Sequence, residues 1–395
     1  MFLTKKKGQE ILSPTLPKTT SKTADQVEVL KQMVSVIQKK QDDLMMHLDN
    51  SNHHTVWFDG AYDVMWANYR MLTALMMDTY KKQMVELGLF DEDFYKKNYP
   101  EYKKYGLSAI DHYIDIGWQM HYNPSPTFNT KRYLRGHHLL QICPLLHFLQ
   151  MGRYYASYAY YNEPQQEPRR ELPPAKRCVY TCLVGNYDSI QEPTHIEKGW
   201  DYICFTDNST WLREGKIGSW TFRPVLRDDL DPTRLNRYHK LLPYTVLPDY
   251  DESLYIDSNV DIVSPFIFDL IKARGGVGLL LPYHFMDKCA YRHTEWIVGA
   301  GKDESAPIKE FGDIMKKSGF PHDFGMTENN VIFRDHANKR MQRIMEEWWQ
   351  CIVKYCKRDQ LSLSYLLWKD KIALFDICFA NARSAINHFK LTCHK

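Results

Sequence analysis

Residues 253–263 read SLYIDSNVDIV, an apolar β-type run that stops at Asp257 and is followed by two more oxygen-bearing positions, Asn259 and Asp261. Two readings compete. Asp, Ser and Asn favour turns because their side chains bond nearby backbone groups, so the cluster reads as a strand ending in a turn. A hard divalent cation also wants oxygen ligands on a rigid support, and the end of a buried strand is one. Taken alone the stretch favours the turn, since such clusters commonly follow strands. Its surroundings shift the balance.

Working outward, CVYTCLVGNY (178–187), DYICFTDN (201–208), GVGLLLPY (276–283) and NVIFRD (330–335) are further β-type runs. Helical patterns separate several of them, at DPTRLNRYHKLLPYTVL (231–247), KEFGDIMKKSG (309–319) and HANKRMQRIMEEWWQCIVKY (336–355). Strands alternating with helices predict an α/β domain with a largely parallel sheet. Ligands of such sheets sit at the carboxyl ends of the strands, where Gly185, Asp207 and Asp257 all fall. Just before Asp257, RLNRYHK (234–240) places Arg234, Arg237 and Lys240 at helical spacing on one face. Cations beside a metal-binding carboxylate suit a diphosphate, whose oxygens a metal bridges while Arg makes forked hydrogen bonds. For any one of these basic residues alone, a solvated basic face is the simpler reading.

Other chemistries are excluded by their missing motifs. No glycine-rich phosphate fingerprint follows the first strand, and GAGKDE (299–304) fails as a P-loop because Trp296 stands where its first Gly belongs and Asp303 where Ser or Thr belongs. Neither a G-x-S-x-G elbow nor H-E-x-x-H is present.

The chain has 395 residues, enough for two or three units, with 44% hydrophobic and 25% charged residues as in soluble globular proteins. A formal net charge of +3 gives no argument for nucleic acid or an anionic membrane. The start, MFLTKKKGQEILSP, has lysines with no apolar stretch behind them, so no secretory signal is expected, and no run approaches the roughly 20 apolar residues of a membrane span. Nine cysteines without a repeating spacing read as reduced thiols, which places the protein in a cytoplasm.

Upstream, residues 1–50 read as a flexible start and a helix whose apolar positions, Val27, Leu30, Val34, Ile37, Leu44 and Leu48, follow a heptad seam with Gln41 in the missing slot. A self-associating coiled coil and an ordinary amphipathic helix both fit it. Residues 51–162 read as a helical domain, 163–177 (EPQQEPRRELPPAKR) as a proline-rich linker, and 178–395 as the α/β domain. The helical domain contains a two-copy repeat: Phe90 matches Phe128, Tyr95 matches Tyr133, and DHYIDIG (111–117) matches LHFLQMG (146–152). Each copy predicts two short helices closed by a Gly, and His112 and His147, at equivalent positions, read as core histidines.

The first copy, FDEDFYKKNYPEY followed by DHYIDIG and NPSP, resembles a repeat found beside glycosyltransferases in bacterial polysaccharide clusters. The series VYTCLVGNYDSI, YICFTDN, R-x-x-K-x-x-P, LYIDSNVDIV and RDQLSLSYLLWK resembles the glycosyltransferase-like family, once of unknown function, of plant mucilage proteins and bacterial polysaccharide loci. More distantly the chain is similar to the family-eight retaining galactosyltransferases. The resemblance covers roughly residues 176 to 395. It implies a GT-A fold, a Rossmann-like mixed sheet, with a nucleotide-sugar donor and Mn2+ or Mg2+.

By that resemblance Asp257 and Asn259 fall on the D-x-D metal motif and His388 on a late third ligand. Val184, Gly185, Asn186 and Asp207 fall on the donor's base side, and Arg234, Arg237 and Lys240 on its diphosphate. Asp359 and Gln360 fall near the anomeric carbon, as candidates for holding the sugar or stabilising the oxocarbenium-like transition state. His284, Glu295, Glu328 and Asn330 fall on the acceptor side. An amide at Asn259 still ligates a hard cation but carries one charge fewer than an acid. The expected function is hexosyl transfer from a nucleoside-diphosphate sugar to a polysaccharide, lipid-linked or protein hydroxyl. The competing expectation is a non-catalytic nucleotide-sugar or carbohydrate-binding scaffold. A hydrolase is disfavoured because no activated nucleophile is visible.

Overall fold

A computed structural model describes residues 76–137, 141–150, 174–185, 187–285, 287–322, 324–383 and 387–392. The heptad helix and its self-association, most of the linker, Asn186 and the end of the second repeat copy lie outside the described residues.

The strands are β1 (Arg177–Leu183), β2 (Trp200–Thr206), β3 (Lys216–Ile217), β4 (Trp220–Pro224), β5 (Glu252–Ile256), β6 (Val260–Ile262), β7 (Leu279–Pro282), β8 (Val331–Asp335), β9 (Cys378–Phe379) and β10 (Phe389–Leu391). Eight of them form one sheet in the order β3-β4-β2-β1-β5-β8-β7-β9, while β6 and β10 pair antiparallel in a small second sheet. β4, β2, β1 and β5 run parallel, β8 is antiparallel to both its neighbours, and β9 is parallel to β7. The fold is therefore α/β with a mixed, mostly parallel sheet, as the alternation of strands and helices predicts.

Both faces of the sheet are covered, which is why β1 and β2 are apolar almost throughout. In β1 the period of two sends Tyr180 and Cys182 to a core shared with the helices Pro232–Leu241, Lys339–Lys354 and Asp359–Lys369. Val179 and Leu183 face the other way, into a core with the helix Phe266–Arg274. That second core also takes in Ile116 and Met120 of the helical repeat. Met76–Lys395 behaves as one unit, so the first repeat copy is built onto the sheet. The buried Arg274 guanidinium pins the two parts together, donating to the carbonyls of Gln119 (3.0 Å), Phe375 (2.9 Å) and Cys378 (2.9 Å).

The repeat is more broken than two helices per copy. Its first copy runs Glu92–Asn98, Pro100–Tyr105, Ala109–His112 and Tyr113–Gly117, because Pro100 cannot continue a helix and Gly106 ends its turn at φ +66°. The matched residues do the same work in both copies. Tyr95 hydroxyl meets His112 Nδ1 at 2.8 Å, Tyr133 hydroxyl meets His147 Nδ1 at 2.7 Å, and Phe90 and Phe128 pack on the respective tyrosines with centroids 5.3 Å apart. Gly117 closes the first copy because a Cβ there would lie 2.0 Å from Tyr95 Oη.

Candidate functional site

The β5–β8 ladder makes a last bond from the Asp257 N–H to Asn330 O (2.9 Å), and β5 then ends because the Asp257 carbonyl accepts the Val260 N–H (2.9 Å) in a turn. The turn is real, and it aims the Asp257 side chain at a cluster of charge. Its Oδ1 accepts from Lys240 Nζ at 3.2 Å and from Tyr255 Oη at 3.0 Å. Tyr255 lies two residues back on the same strand face, as the strand period requires.

Lys240 comes from the helix Pro232–Leu241, which starts sharply: Pro232 is its first residue and the Asp231 carboxylate caps the N–H groups of Thr233 and Arg234. Asp359 comes from the first turn of the helix Asp359–Lys369, where a negative charge suits the helix dipole. Its carbonyl is held by the Trp348 indole N–H at 2.9 Å. The two helices bring Lys240 Nζ to 2.7 Å from Asp359 Oδ2, with the lysine side chain 2% exposed and the aspartate 6%. Arg237 Nε is 3.5 Å from the same oxygen. Burial works against the Asp359 charge, but Arg237 and Lys240 outweigh it and hold the carboxyl below its ordinary value. Burial likewise opposes the Arg237 charge, and Asp359 and Asp257 override it, raising the guanidinium above its ordinary value. Two carboxylates thus face two cations, and the Asp257 side chain, 31% exposed, is the member that opens outward.

The solvated basic face does not describe Arg237 and Lys240, both of which turn inward. Arg234 points away, pairing with Asp231 at 2.9 Å. At the end of β1, Gly185 holds φ +67° with its Cβ position 3.4 Å from Pro232 Cβ, Val184 is buried, and the Gly185 N–H donates to the exposed Asp207 carboxylate at 2.9 Å. Asn236 Nδ2 ties the basic helix to β1 through Cys182 O at 2.7 Å.

A wall of buried polar groups stands beside the cluster. Glu328 is buried, pairs with Arg383 at 2.6 Å, and has its carboxyl raised above the ordinary value by that burial, against the pull of Arg383. Asn330 is 5% exposed, and neither its Oδ1 nor its Nδ2 has a hydrogen-bond partner among the described residues. Gln360 Nε2 reaches Glu328 O at 3.4 Å. His284 is buried behind this wall, whereas Glu295 is exposed on the helix Ala290–Gly299.

The oxygen positions after Asp257 divide. Asn259 Nδ2 donates to Thr392 O (3.1 Å), which leaves its amide oxygen for another partner. Asp261 accepts from the Thr194 N–H (2.8 Å) and hydroxyl (2.7 Å) and so clamps a loop. Among the described residues no donor reaches Asp257 Oδ2, so Asp257 and Asn259 fit a hard cation with one charged and one neutral oxygen. His388 does not join them. Its Nδ1 meets Ser264 Oγ at 2.9 Å, its Nε2 is 3.4 Å from Asp115, and its ring stacks on Phe266. Its carbonyl pairs with the Val263 N–H, past the end of β6 that is farther from Asp257.

Sequence reasoning missed Tyr255, Asn236 and Arg383. The period of two through LYID marks Tyr255 as a same-face neighbour of Asp257, but nothing local pairs Arg383 with Glu328 across the chain.

No protein-family model matches the chain, and no curated protein matches it. Solved structures with a similar fold include the bifunctional glycosyltransferase WbbM (12% identity, TM-score 0.31, over 53% of this chain and 39% of that one). Mouse xyloside xylosyltransferase 1 is similar at 10% identity and TM-score 0.30, over 55% of this chain and 94% of that one. The galactosyltransferase LgtC, solved with donor and acceptor sugar analogues, is similar at 14% identity and TM-score 0.31, over 52% of this chain and 74% of that one. The chain thus spans well under half of WbbM.

Proposed function

We propose that the protein is a GT-A glycosyltransferase that moves a hexosyl group from a nucleoside-diphosphate sugar to a hydroxyl of a polysaccharide, lipid-linked or protein acceptor. One observation carries this reading: Lys240, wholly buried, bridges the strand-end carboxylate Asp257 and the helix-start carboxylate Asp359, with Arg237 alongside. Such an array of fixed charges at the carboxyl edge of a mostly parallel sheet is suited to a diphosphate whose negative charge grows as the sugar leaves. Arg237 would share the leaving-group charge. Asp359, held ionised by Arg237 and Lys240, would face the positive charge developing on the sugar. Val184 and Gly185, with Asp207, would take the base, and Glu328, Asn330 and Gln360 would offer the hydrogen bonds a polyhydroxylated ring needs. Asp257 and Asn259 would hold Mn2+ or Mg2+, which when bound neutralises diphosphate charge.

A second reading, a binding subunit without turnover, draws on Asn259 standing where a second acid is expected and on Lys240 already occupying Asp257 Oδ1. A panel of UDP-, GDP- and CDP-sugars, each with and without Mn2+, separates the two. Transfer or donor hydrolysis supports the enzyme. Saturable donor binding with no turnover supports the scaffold, and binding of none of them overturns both.

A further inference from the structure

His284, Asp287 and His293 each offer one ligand atom within 4.8 Å of the other two. The three are fixed by backbone. His284 follows β7 and is held by its N–H on Met326 O at 2.8 Å, while the His293 N–H bonds Cys289 O at 3.1 Å as the helix Ala290–Gly299 begins. His284 Nδ1 accepts the Asp287 N–H at 2.8 Å, so a ring lone pair already points at the Asp287 segment. Asp287 Oδ2 lies 2.6 Å from His293 Nδ1.

The plain alternative is an Asp–His ion pair beside a histidine that bonds the backbone of its loop. It leaves one cost unexplained. His293 is 3% exposed, and its Nε2 has no hydrogen-bond partner among the described residues. A buried, unpaired ring nitrogen is costly, and the binding free energy of a cation held by the three groups would offset that cost.

The geometry points to a second cation site, made by His284, Asp287 and His293 and separate from Asp257, that takes a divalent transition ion of the zinc class. Two imidazoles and one carboxylate suit Zn2+, Co2+ or Ni2+, whereas Mg2+ and Mn2+ prefer sets dominated by oxygen. The cation replaces the Asp287 N–H at the His284 lone pair. Its role is structural, because both histidines are buried. Phe285, next to His284, lies under the Arg383 guanidinium at 4.4 Å, and Arg383 holds Glu328. The ion therefore fastens the loop behind the polar wall of the site.

Titration of the full chain with Co2+ tests this, because its visible d–d absorption reports nitrogen ligation with no need for turnover. The expected result is one saturable equivalent, displaced by Zn2+ and not by Mg2+, with a rise in melting temperature. Asp287→Asn and His293→Gln each weaken it about tenfold or more, whereas Asp257→Ala leaves it unchanged. The Asp287 side chain is 26% exposed, so Asp287→Asn stays informative if the histidine variant fails to fold. Absence of saturable Co2+ binding overturns the proposal. So does binding that survives Asp287→Asn, or that is lost in Asp257→Ala. Inactivity with every nucleotide sugar would sink the transferase reading and leave this one standing.

Discussion

Lys240 and Asp359 meet at 2.7 Å with both side chains almost wholly buried, although they come from helices far apart in sequence. Removing one partner leaves the other charged in a place that water cannot reach. Lys240→Met is therefore expected to cost about 3–5 kcal/mol of stability, softened by Arg237. Asp359→Asn in the same background should recover much of that, since a neutral amide needs no counter-charge. Urea unfolding of the two single variants and the double variant measures the coupling; additive losses would show that the pair is not a unit.

Asp257 belongs to the same cluster but opens outward, so its loss should separate chemistry from folding. Asp257→Ala is expected to melt close to the parent and to lose donor turnover by about a hundredfold or more. Unchanged turnover with any usable nucleotide sugar would remove Asp257 from the site.

Much of this cluster was legible in the chain. The run ending at Asp257, the spacing of Arg237 and Lys240 and the strand-helix alternation are local patterns, and local patterns survive in sequence. What was not legible is long-range. That Lys240 lies between two carboxylates depends on how two helices cross, and that β8 runs antiparallel depends on a connection whose direction leaves no mark on its residues. His388 shows the limit from the other side: the resemblance gives it as a late metal ligand, yet Ser264, Asp115 and stacking on Phe266 hold its ring away from Asp257. The repeat was legible because its two copies reuse the same Tyr–His pairing.

Of the residues proposed to hold the donor, Gly185 has the least tolerance. At φ +67° an L side chain is strained, and a Cβ would also touch Pro232. Gly185→Ala should cost about 1–2 kcal/mol and raise the donor Kd, because the turn would shift away from the Asp207 carboxylate. Calorimetry with the productive donor checks this, and a wild-type Kd would show that the turn does not touch the nucleotide.

Three core histidines set an acid-side limit on stability. Burial lowers His112, His239 and His336 each to about 4. His239 is satisfied as a neutral ring, with Nδ1 donating to Leu235 O at 2.9 Å and Nε2 accepting the Leu226 N–H at 3.1 Å. The unfolded chain takes up these protons near the free value of about 6.5, before the folded one does. Their contribution is therefore complete above about pH 6.5 and drains away as pH falls toward 4, at up to about 1.4 kcal/mol per pH unit for each histidine. Urea midpoints measured from pH 7 to pH 4.5 should fall steadily, and His239→Gln should flatten the slope while lowering the plateau. A slope unchanged in that variant would mean that folding does not shift the titration of His239.

The repeat's attachment to the sheet gives the last expectation. Ile116 is fully buried in the core beneath β1 and β5, and Arg274 holds the Gln119 carbonyl from the other side of that contact. Ile116→Ala should cost about 2–5 kcal/mol through the lost contacts and the cavity left behind. Arg274→Met removes the donor to several buried carbonyls at once and should cost at least as much, since each orphaned acceptor carries its own penalty. If the repeat folds as part of the sheet unit, both variants lower a single cooperative transition seen by far-UV circular dichroism and by tryptophan fluorescence alike. Were the repeat a separate body, Ile116→Ala would shift only an early, partial transition and leave the melting of the sheet where it was.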